Sequence, residues 1–156
     1  MKDISSFQID HLTLDPGIYL SRTDAVGDRE LKSYDLRIVA PNREVVMNTG
    51  EMHTIEHLVA TYLRNDEDFK DEVIYFGPMG CRTGFYLILT DAVAHEDVLD
   101  LMKRAFTFTA EFEGEIPGAT AEGCGNYLDH NLPMANYYAN RYVETLNKVD
   151  DLSFEY

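Results

Sequence analysis

Positive charge is scarce in this chain of 156 residues: 13 lysines and arginines stand against 28 aspartates and glutamates, a formal net charge of −15. A surface of that sign repels phosphate backbones and anionic headgroups, so we expect no nucleic-acid or membrane partner and take a small soluble molecule as the default ligand. Long apolar runs are missing as well, and no segment reaches the roughly 20 residues needed to span a bilayer. The opening Met1-Lys2-Asp3-Ile4 lacks the apolar stretch of a secretion signal. Cysteine occurs only twice, at Cys81 and Cys124. That is too few for a disulfide framework and, without an export signal, points to reduced thiols in the cytoplasm. No repeat, low-complexity tract or linker interrupts the sequence. With 45% hydrophobic residues at this length, a single domain over residues 1–156 is expected to bury its own core.

What is present begins with the run His53-Thr54-Ile55-Glu56-His57. On a helix, positions four apart lie on one face, so His53 and His57 can hold one ion while Glu56 stands beside it as an acid/base group. The order H-x-x-E-H is that of the inverted zincins. Apolar spacing supports a helix from Glu51 to Arg64, with Met52, Ile55, Leu58, Val59, Tyr62 and Leu63 facing a core and His53, Glu56, His57 and Ala60 facing a cavity. Both cysteines sit beside glycines, in Gly80-Cys81-Arg82-Thr83-Gly84 and Gly123-Cys124-Gly125. A thiolate suits the third place around a borderline ion already held by two imidazoles and leaves a fourth open, which is the catalytic pattern. One cysteine would then bind metal and the other would be free to react.

The remaining periodicities predict a hairpin of Gly17 to Thr23 and Leu31 to Ala40 across the turn Asp24-Ala25-Val26-Gly27-Asp28, with Pro41-Asn42 ending the second strand. Two further strands, Glu72 to Phe76 and Phe85 to Thr90, flank the loop that carries Cys81. The acidic Asn65-Asp66-Glu67-Asp68 reads as a solvated loop. A helix from His95 to Phe112 follows with Val98, Leu101, Met102, Ala105 and Phe106 in register. A last one from Pro133 to Val149 carries Met134, Tyr137, Tyr138, Tyr142 and Leu146. Hairpins and helices in this order indicate the α+β class, an antiparallel sheet packed against helices. His95 reads as a solvated residue at a helix start, and His130 as a structural or supporting residue near Cys124.

The motifs His53-Thr54-Ile55-Glu56-His57-Leu58, Pro78-Met79-Gly80-Cys81-Arg82-Thr83-Gly84-Phe85-Tyr86, Cys124-Gly125 and Ser6-Phe7-Gln8-Ile9-Asp10-His11 together resemble the S-ribosylhomocysteine lyase (LuxS) family. Tyr34-Asp35-Leu36-Arg37 and Pro41-Asn42 extend the resemblance over essentially the whole chain. It implies a homodimeric bacterial cytosolic enzyme that cleaves S-ribosylhomocysteine to homocysteine and 4,5-dihydroxy-2,3-pentanedione, the precursor of the autoinducer-2 signal. It also implies metal ligands at His53, His57 and Cys124, one divalent ion per chain, with Fe2+ native and Zn2+ or Co2+ as substitutes. Acid/base groups are implied at Cys81 and Glu56, and substrate contacts at Ser6, His11 and Arg37. Members of that family usually carry Asp-Ile-Ser before Pro-Met-Gly-Cys, where this chain has Tyr75-Phe76-Gly77. The substrate contacts made there are therefore expected to differ.

Residue chemistry agrees with that reaction. Moving a carbonyl along a sugar requires removing protons from adjacent carbons, and a Lewis acid stabilises the charge that develops. A thiolate and a carboxylate are suited to taking and returning those protons. Two rival readings fit the residues less well. A metallopeptidase of the inverted type uses a carboxylate as third ligand and a much longer chain, and a plain metal-binding module leaves Glu56 and Cys81 without a purpose.

Overall fold

The computed structural model describes residues 9–149, so Ser6 lies outside the described residues. Strand β1 (Gly17–Val26) turns at Gly27-Asp28 into β2 (Arg29–Arg37), and the two pair antiparallel from Gly17↔Arg37 to Val26↔Arg29. The expected turn is narrower than the sequence suggests because Asp24, Ala25 and Val26 each find a ladder partner in Leu31, Glu30 and Arg29. Helix α1 (Thr49–Asn65) follows, then β3 (Val73–Pro78), β4 (Gly84–Thr90), α2 (His95–Glu111) and α3 (Leu132–Leu146). The sheet runs in the order β1-β2-β4-β3, antiparallel throughout. This is the expected α+β arrangement.

Alternation along the strands divides the sheet into two faces. Tyr34, Leu36, Phe85, Leu87, Leu89 and Phe76 point to one face and are buried together with Ile55, Val59 and Leu63 of α1, Leu101, Met102 and Phe106 of α2, and Tyr142 and Leu146 of α3. The Tyr142 hydroxyl donates to the Gly17 carbonyl at 2.8 Å, tying α3 to the start of β1. Tyr137, expected with this stripe, is instead 55% exposed, since its own helix already fills the core with Tyr138. The other face is half open, with Tyr19, Leu31, Ser33, Tyr86 and Ile88 partly accessible.

Strand β2 stops at Arg37 rather than Ala40 because the amides of Ile38 and Val39 leave the ladder and both donate to the Thr83 carbonyl, at 3.0 and 3.1 Å. Met47 adds a bond to the Arg82 carbonyl at 3.1 Å. The loop bearing Cys81 is thereby clamped to the segment that leads into α1. Residue 84 must be glycine here: a Cβ at Gly84 would stand 2.2 Å from the Leu36 backbone carbonyl. Gly84→Ala is expected to cost roughly 1–3 kcal/mol through this overlap. Denaturant unfolding reads the loss, and an unchanged midpoint would show that β2 and β4 can part freely at this end.

Helix α1 starts cleanly because the buried Glu51 reaches back to accept from the Asn48 backbone N–H at 2.6 Å. At its far end, Asp66 is buried rather than solvated. It accepts from the amides of Asp68 and Phe69 at 3.1 and 3.0 Å and pairs with Arg104 at 2.5 Å. Helix α3 ends at Leu146, three residues early, as Lys148 and Val149 bond to Thr145 and Leu146 in tighter three-residue steps.

Candidate active site

Helix α1 presents its polar stripe as expected: Met52, Ile55, Leu58, Val59 and Leu63 are buried, while His53, Glu56 and His57 are half-buried on the opposite side. The loop after α2 closes over this stripe and brings in Cys124, whose Sγ lies 3.3 Å from His53 Nε2. Cys124 is held by its own amide on the Thr120 carbonyl at 2.9 Å, and the Asn126 amide donates to its sulfur at 3.4 Å. A fourth residue enters from just beyond: ligand atoms of His53, His57, Cys124 and His130 all lie within 4.8 Å of one another. Among the described residues no carboxylate joins this group, which counts against a peptidase-type centre.

Hydrogen bonds orient each ring. His53 Nδ1 lies 2.9 Å from the Asp129 carbonyl and His57 Nδ1 lies 2.7 Å from the Pro117 carbonyl. A carbonyl only accepts, so both Nδ1 atoms donate and Nε2 is the ring atom left to face an ion. Backbone carbonyls behind the ring are the usual outer support of metal-binding histidines. The donor set of two oriented imidazoles and a thiol therefore fits a divalent metal of the zinc or iron type. His130 is tied down in the same way by a hydroxyl. Thr54 spends its one hydrogen on the Gly50 carbonyl at 2.8 Å, so its oxygen accepts from His130 Nδ1 at 3.1 Å and from the Asn131 amide at 3.0 Å. Burial first, and then the neighbouring His53 and His57, hold the His130 pKa below the ordinary histidine value, which favours the neutral ring.

Two cavities share His53 and Glu56 as a wall. One, of about 510 Å³, lies over His57, Gly118 and Cys124; the other, of about 350 Å³, reaches Pro78, Met79, Gly80 and Arg82. The second cavity thus ends on the residues around Cys81, which is exposed. Cys81 Sγ sits 3.1 Å from the Thr83 hydroxyl and 3.9 Å from Arg37 Nη1, which also donates to Thr83 at 2.5 Å. Arg37 is in turn held by a forked pair with the fully buried Asp35, one arm being Nε to Oδ1 at 3.1 Å. Arg37 as a residue is only 2% exposed. It reaches Cys81 from the sheet side, an adjacency across 44 residues that strand spacing alone does not announce.

Other expected positions are less tightly joined. His11 Nδ1 donates to the Ile9 carbonyl at 2.8 Å, a contact within its own segment. His95 is not merely solvated: its Nδ1 is 3.1 Å from the hydroxyl of the buried Tyr34. Burial raises the Tyr34 pKa to about 12, and the histidine closes the end of that ring. Tyr75 is half exposed and lies over Gly77, where an added Cβ would stand 2.0 Å from its hydroxyl.

A small α+β domain with an imidazole and thiol donor set beside a cleft has the class of a metal-binding protein. Comparison with known proteins narrows the class. The chain belongs to the S-ribosylhomocysteinase (LuxS) family, whose model matches residues 4–152. It is 58% identical to the S-ribosylhomocysteine lyase of Finegoldia magna over 149 residues, covering 96% of this chain and 94% of the relative. It is 50% identical to that of Clostridium acetobutylicum over 156 residues, covering 100% and 99%. The lyase of Porphyromonas gingivalis is 46% identical over 157 residues, covering 100% and 99%.

Proposed function

We propose that this chain is a carbon–sulfur lyase that cleaves S-ribosylhomocysteine to homocysteine and 4,5-dihydroxy-2,3-pentanedione by carbonyl migration and β-elimination. The observation that carries the reading is the His53, His57 and Cys124 donor set, which meets the cleft of the Cys81 loop across the shared wall of His53 and Glu56. A divalent ion bound there supplies Lewis acidity to the sugar oxygens, and ferrous iron, with zinc or cobalt as substitutes, suits two imidazoles and a thiolate. Cys124→Ala is expected to surrender the ion to a chelator that leaves the unaltered protein loaded. Full metal content in that variant would remove Cys124 from the ligand set.

Cys81 takes the proton from the carbon beside the carbonyl and returns it one carbon along, so the carbonyl moves from C1 to C2 and then to C3. The Arg37 guanidinium lies 3.9 Å from the sulfur that does this. Glu56 moves protons among the sugar hydroxyls and removes the C4 proton, whereupon the C5–S bond breaks and homocysteine leaves as a thiolate. The enol left behind takes a proton at C5 and becomes a methyl ketone. No electron is gained or lost. Turnover in heavy water is expected to place one deuterium in that methyl group, read by NMR. A product methyl free of deuterium would contradict the elimination.

Ser6 and His11 complete the substrate site in this reading, and the working unit is a cytoplasmic homodimer built on the open sheet face. Tyr19, Leu31, Tyr86 and Ile88 leave that face apolar and half covered, which suits a self-complementary two-fold contact. Sedimentation is expected to give twice the chain mass; a monomer with full activity would refute the dimer. The product would then be the precursor of autoinducer-2.

A further inference from the structure

The lyase reading assigns no task to the side chain of Arg82, yet among the described residues it is the one arginine whose guanidinium meets neither a carboxylate nor any other acceptor. Six others pair with carboxylates, and Arg64 donates to the Val73 and Ile74 carbonyls. In a chain with 28 acidic residues against 13 basic ones, acids are not in short supply, so position keeps this cation free. Its backbone lies in the left-handed region at φ 62°, which a residue other than glycine holds only where its surroundings impose it. Here both ends are pinned: the Arg82 amide donates to the Met79 carbonyl at 2.9 Å and its carbonyl accepts from the Met47 amide at 3.1 Å. The turn so fixed makes Arg82 part of the wall of the 350 Å³ cavity beside His53 and Glu56.

A negative counterpart lines the same cavity. Asp129 is anchored there by its backbone carbonyl, which takes the His53 ring bond. Its carboxylate accepts no hydrogen bond among the described residues and lies over the first turn of α1, Oδ1 standing 3.4 Å from where a Cβ on Gly50 would be. Arg82 and Asp129 do not pair with each other, and Met52, Pro78 and Met79 supply the apolar part of the lining. One cation and one anion around an apolar wall complement an α-amino acid zwitterion on a short thioether chain, since a guanidinium binds a carboxylate and a carboxylate an ammonium. The volume falls in the range of about 300–1,000 Å³ usual for small-ligand pockets. Resting on the lyase reading, we infer that this cavity binds the homocysteine end of the substrate, Arg82 taking the α-carboxylate and Asp129 the α-ammonium. The sugar then lies toward the metal centre, across the shared wall of His53 and Glu56. Arg82 and Asp129 are specificity-determining residues that select a thioether carrying the charged amino-acid end.

The test follows thiol release by the metal-loaded full chain from S-ribosylhomocysteine and from two analogues, one with hydrogen in place of the α-carboxylate and one with hydrogen in place of the α-amino group. Arg82→Gly removes the side chain while suiting the left-handed backbone, and Arg82→Lys keeps the charge. On S-ribosylhomocysteine, Arg82→Gly is expected to raise KM about tenfold, the loss of one charge-assisted contact, with Arg82→Lys recovering part of it. On the analogue without the carboxylate, the unaltered protein should fall to the level of Arg82→Gly, and removing the arginine should cost little more. Asp129→Asn is expected to behave in the same way toward the analogue without the amino group. Equal losses on the full substrate and on the matching analogue would make either residue merely structural, and an unchanged KM would remove it from the site; both results overturn the assignment. Should Arg82→Gly fail to fold, the unaltered protein still decides, since an equal KM for the full substrate and the analogue without the carboxylate overturns the proposal. Failure of the lyase reading has a separate signature: the unaltered protein would then release no thiol from S-ribosylhomocysteine at all.

Discussion

Replacing Cys81 by alanine is expected to leave the fold and the metal in place while cutting thiol release from S-ribosylhomocysteine by ~10²–10⁴-fold, the usual cost of a missing proton-transfer group. Cys81 is exposed at a loop tip, so its removal opens no cavity in the core. The loop stays anchored without it, through the Ile38 and Val39 amides on Thr83, the Met47 amide on Arg82, and the Met79 amide on Gly84 at 2.9 Å. Nor does the sulfur belong to the donor cluster on α1. Metal analysis, thermal unfolding and steady-state thiol release on one preparation separate these effects. Glu56→Gln is expected to lose turnover to a similar degree, but if Glu56 acts chiefly at the elimination it should still exchange carbon-bound hydrogen of the substrate with heavy water. An unimpaired rate in either variant would take that residue out of the mechanism, and loss of exchange together with cleavage would place Glu56 in the first proton shift as well.

Arg37→Met is expected to cost about 3–5 kcal/mol of stability, because it removes the guanidinium that pairs with the fully buried carboxylate of Asp35. The same change removes the donor that orders Thr83 and the positive charge beside Cys81, so activity should fall beyond what unfolding explains. Adding Asp35→Asn is expected to return part of the stability, since it removes the buried negative charge, and none of the activity. Urea unfolding of the single and double variants measures the first effect and thiol release at a temperature where both remain folded measures the second. A single variant as stable as the parent would mean that water reaches Asp35 after all.

The metal face was legible because helical spacing and ligand chemistry coincide: the positions that leave His53, Glu56 and His57 on one side also bury Ile55, Leu58 and Val59 on the other. Cys124 was legible as one of two glycine-flanked thiols, and the family motif, rather than spacing, selected it over Cys81. From sequence His130 reads as a structural or supporting residue near Cys124, and nothing local indicates that it folds back 76 positions to meet Thr54. Its proximity to Cys124 in sequence was the available signal. Arg37 reads on the strand as one more charge, and only the β2 to β4 register, Arg37↔Gly84, sets it beside the Cys81 loop. Element ends missed by two or three residues, at β2 and α3, were decided by backbone bonds to distant carbonyls or tight terminal turns, which hydrophobic periodicity does not encode.

The most direct measurement is the release of free thiol when the ferrous-loaded protein meets S-ribosylhomocysteine, run beside the chelator-stripped protein and the same sample reloaded with cobalt. A lyase built on the His53, His57 and Cys124 centre yields one homocysteine thiol per substrate with either metal and none when stripped. No thiol from any loaded form would contradict the assigned reaction, and equal thiol from the stripped form would contradict the metal centre.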